Sequence, residues 1–136
     1  WADRSPYDGA VVPFFKRAQL AAADLHLQGL APAADLGRLT LFADNLVPHV
    51  LRIDGVLEFE PELVARIDAE QLIEHDSPEE VEIRAAAIHT AELLVAECAA
   101  QGRPVTAREL DYLLWNRGLA PIYRELPRHR TRTTAY

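Results

Sequence analysis

A chain of 136 residues, 49% hydrophobic and 26% charged, can bury roughly two thirds of its unfolded surface and form one domain with a real core. Its net charge of −7 excludes a broad polynucleotide-binding surface, which needs many Lys and Arg side chains. The single cysteine, Cys98, excludes an internal disulfide and a multi-cysteine zinc site. No apolar run approaches the roughly 20 residues of a membrane span, and no basic, apolar leader is visible. The expectation is a cytoplasmic protein with no membrane contact. The chain opens on Trp1 rather than Met and reads as a fragment or a processed chain.

Ala, Leu, Glu and Arg dominate, and β-branched alternation is scarce, so the predicted fold is all-α. Residues 1–12 read as an irregular lead-in, with Pro6 and Asp8-Gly9 as turn signals. A first helix is predicted over residues 13–28, with Pro13 at its first position and Gly29 at its stop. A loop with Gly29, Pro32 and Gly37 follows. A second helical stretch, residues 39–54, is interrupted by Pro48, and a third helix covers residues 61–71.

The fourth helix carries the clearest signals. Ser77, Pro78 and Glu80 spell a capping box, and Val81, Ile88 and Val95 repeat every seven residues with Ala91 and Cys98 between them. It ends at Gln101-Gly102. A second capping box, Thr106 to Glu109, opens a fifth helix that stops near Gly118. The remainder, residues 121–136, with five Arg or His side chains, is predicted as an extended tail lying on the domain. Nothing divides the chain, so residues 1–136 are taken as one helical domain.

The five histidines are scattered without metal-ligand spacing. His89 and Glu92 share a helix face, but such pairs are mostly just surface pairs, and no metal is expected. Cys98 lies on the predicted buried stripe, where a thiol is inert. The six glycines stand singly and form no phosphate loop. Arg84 shares the stripe with Val81 and Ile88. It is expected to be half buried and paired with Glu80 four residues earlier, either as a structural ion pair or as a ligand contact.

Two stretches stand out. At about 100° per residue, Leu110, Leu113 and Leu114 cluster on one face of the fifth helix, and Asp111, Tyr112, Trp115 and Asn116 fall opposite. Aromatic plates beside hydrogen-bonding groups suit a flat heterocycle, or else form a second packing face. In residues 40–48, Pro48 breaks the backbone near Asp44 within an apolar run that includes Phe42. A carboxylate held there either caps the helix that Pro48 begins or faces a cleft.

Four separated segments, Pro13 to Leu20, Leu39 to Pro48, Glu80 to Ala85 and Leu110 to Asn116, resemble the queuosine salvage proteins, the queuosine 5′-phosphate N-glycosylases/hydrolases. The tail Pro127 to Arg132 and the closing Tyr136 resemble that family's C-terminus. The match covers nearly all of this chain but only the C-terminal part of the family's length. The resemblance implies a helical fold related to the helix-hairpin-helix DNA glycosylases, with no metal or cofactor. It implies release of queuine, a 7-deazaguanine used in tRNA modification, from queuosine 5′-monophosphate. It implies Asp44 as the catalytic carboxylate and Phe42, Asp111, Tyr112 and Asn116 as ligand-contacting positions. An N-terminal half is expected to complete the site.

The chemistry agrees with these residue types. Breaking an N-glycosidic bond builds positive charge on the ribose, which an ionised carboxylate can stabilise. A 7-deazapurine cannot take a proton at position 7, so the leaving base must be held by its other edges. Lys16, Arg17 and the Arg-rich tail are all candidates for the 5′-phosphate. Two rival readings are a helical interaction module and a DNA glycosylase. The acidic charge and the lack of a glycine hairpin flanked by basic residues argue against the second.

Overall fold

The computed structural model describes residues 2–136; Trp1 lies outside the described residues. It is mostly helical, with one departure from an all-α chain. The lead-in forms a hairpin of two four-residue strands, β1 (Arg4–Tyr7) and β2 (Ala10–Pro13), pairing Arg4 with Pro13 and Tyr7 with Ala10. Asp8 and Gly9 both take positive φ, 46° and 75°, as a tight two-residue hairpin turn requires. The turn was legible; strands this short, each carrying a proline, were not.

Pro13 therefore ends β2, and α1 begins three residues later, at Lys16–Leu27. Its first turn is capped from a distance. The Asp3 carboxylate accepts the Lys16 N–H (3.0 Å), and the Asp3 carbonyl accepts the N–H groups of Phe14 and Phe15. Phe15 is held at φ 50°, in the left-handed region that a bulky side chain rarely enters. Gly29, at φ 70°, closes the other end, with Leu30 N–H reaching back to the Leu25 carbonyl.

After a short 3-10 turn at Leu36–Arg38 the chain runs through the interior. Residues 39–46, expected to be helical, are irregular, and Leu41, Phe42 and Ala43 are buried. The helix α2 is only Val47–Ile53, with Pro48 in its first turn rather than interrupting it. Buried irregular backbone must find partners. Here side chains supply them: Gln19 Oε1 accepts Thr40 N–H, Asp111 Oδ1 accepts Phe42 N–H, and Arg84 Nε donates to the Ala43 carbonyl.

Helices α3 (Pro61–Asp68), α4 (Pro78–Ala100) and α5 (Ala107–Arg117) follow. The capping box of α5 is complete, but that of α4 is half made. Ser77 Oγ accepts Glu80 N–H, while the Glu80 carboxylate turns to Asp76 N–H and to Arg84. The buried stripe of α4 holds from Val81 to Ala91 and fades beyond it, leaving Cys98 only partly buried. Phe14, Leu41, Val47, Leu51, Val81, Ala87 and Ala91 form the core, where α2, α4 and the interior segment meet.

The predicted tail contains a one-turn helix, α6 (Pro121–Arg124), and then lies on the domain as expected. Ile73 N–H bonds to the Arg130 carbonyl, and His129 and Tyr123 are buried.

Candidate active-site cleft

Asp44 sits where the interior segment turns into α2. Its Oδ1 accepts the N–H groups of Leu46 (2.8 Å) and Val47 (3.2 Å), the amides that open the helix. Its Oδ2 lies 3.9 Å from Lys16 Nζ, across from α1. The two readings of this carboxylate are therefore both realised: one oxygen caps, and the carboxylate lines a cleft.

That cleft, about 370 Å³, lies between α1, the interior segment and α5. Lys16, Leu20, Ala23, Asp24 and Leu27 come from α1, Phe42 and Asp44 from the segment, and Arg108, Asp111, Tyr112 and Trp115 from α5. Its size is that of a small-molecule site with apolar walls and a few placed polar groups. Tyr112 and Trp115 are 68% and 43% exposed, so their rings are open to a ligand.

The orientation of α5 differs from the expected one. Its buried side is Ala107, Asp111 and the cap residue Gly118, flanked by Leu110 and Leu114, whereas Leu113 is 58% exposed. Asp111 faces inward because it satisfies the Phe42 N–H, a demand set by the interior segment and invisible in the helix's own periodicity. Burial raises its carboxyl to about 6; the Phe42 hydrogen bond opposes this and the nearby Asp44 charge adds to it.

The structure thus brings together Phe42, Asp44, Asp111 and Tyr112. It does not bring Asn116, which is exposed and lies outside the cleft lining, its amide donating to the Tyr112 carbonyl at 2.7 Å. Lys16 lines the cleft, whereas the Arg17 guanidinium donates to the Thr134 carbonyl outside the lining. Arg108, Asp24 and the apolar side of α1 were not anticipated; only the tertiary approach of α1 to α5 reveals them.

Among the described residues, one group of His and carboxylate atoms is close enough to share a metal: His75, Asp76 and Glu80. It lies at the start of α4, outside the cleft lining, and Glu80 already serves Arg84. No helix of the described residues is long and apolar enough to cross a membrane.

Fold and cleft together define a mostly helical chain with a cleft that is lined by three carboxylates, Asp24, Asp44 and Asp111, and by the rings of Phe42, Tyr112 and Trp115. Comparison with known proteins makes this specific. The family model described as queuosine salvage protein matches residues 1–136, and the chain belongs to that family. Proteins named queuosine 5′-phosphate N-glycosylase/hydrolase from Sphaerobacter thermophilus, Dictyostelium discoideum and Mus musculus are 44%, 37% and 32% identical to it. The matches cover 98%, 98% and 100% of this chain, but only 43%, 43% and 44% of those relatives. The chain spans less than half the length of the curated relatives it matches.

Proposed function

We propose that this chain forms the C-terminal wall of the active site of an enzyme that hydrolyses the N-glycosidic bond of queuosine 5′-monophosphate and releases queuine. One observation carries the reading: Asp44, fixed through one oxygen by two backbone amides, lines a cleft that also holds Asp111 and two open aromatic rings. Family membership and the relatives' names support it.

In this mechanism Tyr112 and Trp115 stack on the deazapurine, and Asp111 accepts hydrogen bonds from its edge. Phe42 packs beside the nucleoside. The C1′–N bond breaks with its electron pair leaving on the base. Asp44 stabilises the positive charge that develops at C1′, water adds there, and the water's proton ends on queuine. Because the deazapurine lacks nitrogen at position 7, departure depends on the edge contacts rather than on protonation at that site. Hydrolysis of this kind asks for no cofactor. Arg108, a partly exposed cation of the lining, meets the 5′-phosphate in this reading. The substrate is the free mononucleotide rather than a polynucleotide, in keeping with the net charge of −7. A cytoplasmic setting belongs to the same reading, since a charged nucleotide does not cross membranes unaided.

The N-terminal part of the enzyme completes the site. Leu25 and Leu27 on α1, Leu30 just after it and Leu113 on α5 are apolar and exposed, with Leu27 lining the cleft, and a second part of the protein would cover them. On this reading the domain belongs to a larger fold related to the helix-hairpin-helix DNA glycosylases.

The test is queuine release, followed by mass spectrometry, from the protein in its full natural length. Queuosine 5′-monophosphate should turn over, and GMP and duplex DNA should not. Asp44→Asn should lose several orders of magnitude in rate while still binding substrate, because the charge that Asp44 stabilises exists mainly in the transition state. Turnover by Asp44→Asn within about tenfold of the unaltered enzyme would refute the assignment.

A further inference from the structure

Arg84 is fully buried on α4, yet it does not line the cleft. Its guanidinium forks onto the Asp3 carboxylate, with Nη1 to Oδ1 at 2.9 Å and Nη2 to Oδ2 at 2.6 Å. Nη1 is also 3.5 Å from Glu80 Oε1. Phe14 and Tyr136 lie against the guanidinium, at 3.9 and 4.4 Å from ring centroid to carbon. Nε donates to the Ala43 carbonyl at 3.1 Å.

Desolvating one cation and two carboxylates is expensive, and apolar side chains of similar volume fill such a space at least as favourably. The partners suggest what the network is for. Ala43 directly precedes Asp44. Asp3 caps α1 at the Lys16 N–H and holds Phe14 and Phe15 through its carbonyl. One guanidinium therefore grips the backbone immediately before Asp44 and, through Asp3, the first turn that carries Lys16. These are the two residues whose charged groups stand 3.9 Å apart in the cleft.

We propose that Arg84 is a positioning residue that fixes the separation of Lys16 and Asp44, and through it the rate of the chemical step. The inference rests on the catalytic reading of Asp44 above. A planar fork is needed: it reaches the Ala43 carbonyl and both oxygens of Asp3 at once, which a lysine ammonium cannot do.

The experiment uses the enzyme in its full natural length. Arg84→Lys keeps the charge and loses the fork; Asp3→Asn keeps Arg84 and weakens its hold on α1, so it serves if Arg84→Lys fails to fold. Displacing a reacting group by about 1 Å costs on the order of 100-fold. The folded variants should lose about that factor in kcat with KM nearly unchanged, and their crystal structures should show Lys16 and Asp44 beyond ion-pair reach. A kcat within about threefold of the unaltered enzyme, or a loss confined to KM, would overturn the proposal. If the unaltered enzyme and Asp44→Asn release queuine equally, the catalytic reading fails by itself. The structures then still decide the positioning claim: a Lys16–Asp44 distance unchanged in both variants overturns it.

Discussion

Asp111 Oδ1 accepts the backbone N–H of Phe42 at 2.9 Å, across 69 residues of sequence, and this bond ties α5 to the interior segment that ends at Asp44. It places a buried carboxylate next to the proposed catalytic one. Burial raises Asp111 to about 6, above its ordinary 3.8. Between those values the folded protein holds a proton that the unfolded chain has released, so the contribution of Asp111 to stability falls as pH rises through that window. Asp111→Asn mimics the protonated form and should remove this dependence. It should gain on the order of 1–3 kcal/mol at pH 7.5 relative to pH 4, checked by urea unfolding at both. The same variant should weaken queuine binding and erase an acid limb near pH 6 from kcat/KM.

Asp44 has a structural duty as well as a chemical one. Asp44→Ala should cost about 1 kcal/mol through the lost cap on α2, whereas Asp44→Asn retains an oxygen for the Leu46 and Val47 amides. Melting temperature should therefore separate the two variants although both are catalytically dead. Equal melting temperatures would argue against the cap.

The aromatic rim should behave as a ligand surface and not as core. Tyr112→Ala should cost on the order of 1–3 kcal/mol of affinity for queuine, the usual range for a base–aromatic stack. Its ring is mostly exposed, so the melting temperature should hardly move. Asn116→Ala should leave affinity unchanged, since its amide is spent on the Tyr112 carbonyl. Calorimetric titration of both variants checks the contrast.

Gly118 lets α5 end directly against α2. A Cβ there would meet Leu46 Cδ1 and Cγ and Val50 Cγ2 at 2.9 Å. Gly118→Ala should destabilise by about 1–3 kcal/mol through overpacking, read as a lower urea midpoint.

His129 supplies an acid-sensitive element. It is buried with neither ring nitrogen bonded, and burial lowers its pKa to about 3. The unfolded chain takes up this proton near pH 6.5, so the contribution of His129 to stability declines as pH falls from there toward 3, by up to about 1.4 kcal/mol per pH unit, opposite in direction to that of Asp111. His129→Phe should flatten that part of the unfolding curve.

Helix content and most helix ends were legible because their signals are local. Ser77-Pro78 and Thr106 to Glu109 specify caps, and Gly29 and Gly118 mark stops. Asp44 was legible as a residue at a break because proline geometry acts on its own neighbours. The hairpin was missed because four-residue strands carry too little periodicity. Residues 39–46 read as helix in the sequence because an apolar run of that length does not distinguish a buried loop from a buried helix.

The sequence by itself determined an acidic chain built largely of helices, the caps of α4 and α5, its family and the short set of residues worth testing. Those properties follow from composition and from interactions within a few residues. Only the tertiary structure decided that Asp111 faces inward and Leu113 outward, that Asn116 leaves the cleft, and that Arg84 is wholly buried with Asp3 as its main partner. Each of these depends on which distant backbone group needs a hydrogen bond. The irregular interior segment creates that demand by leaving Phe42 N–H and the Ala43 carbonyl without helical partners, and Asp111 and Arg84 answer it from 69 and 41 residues away.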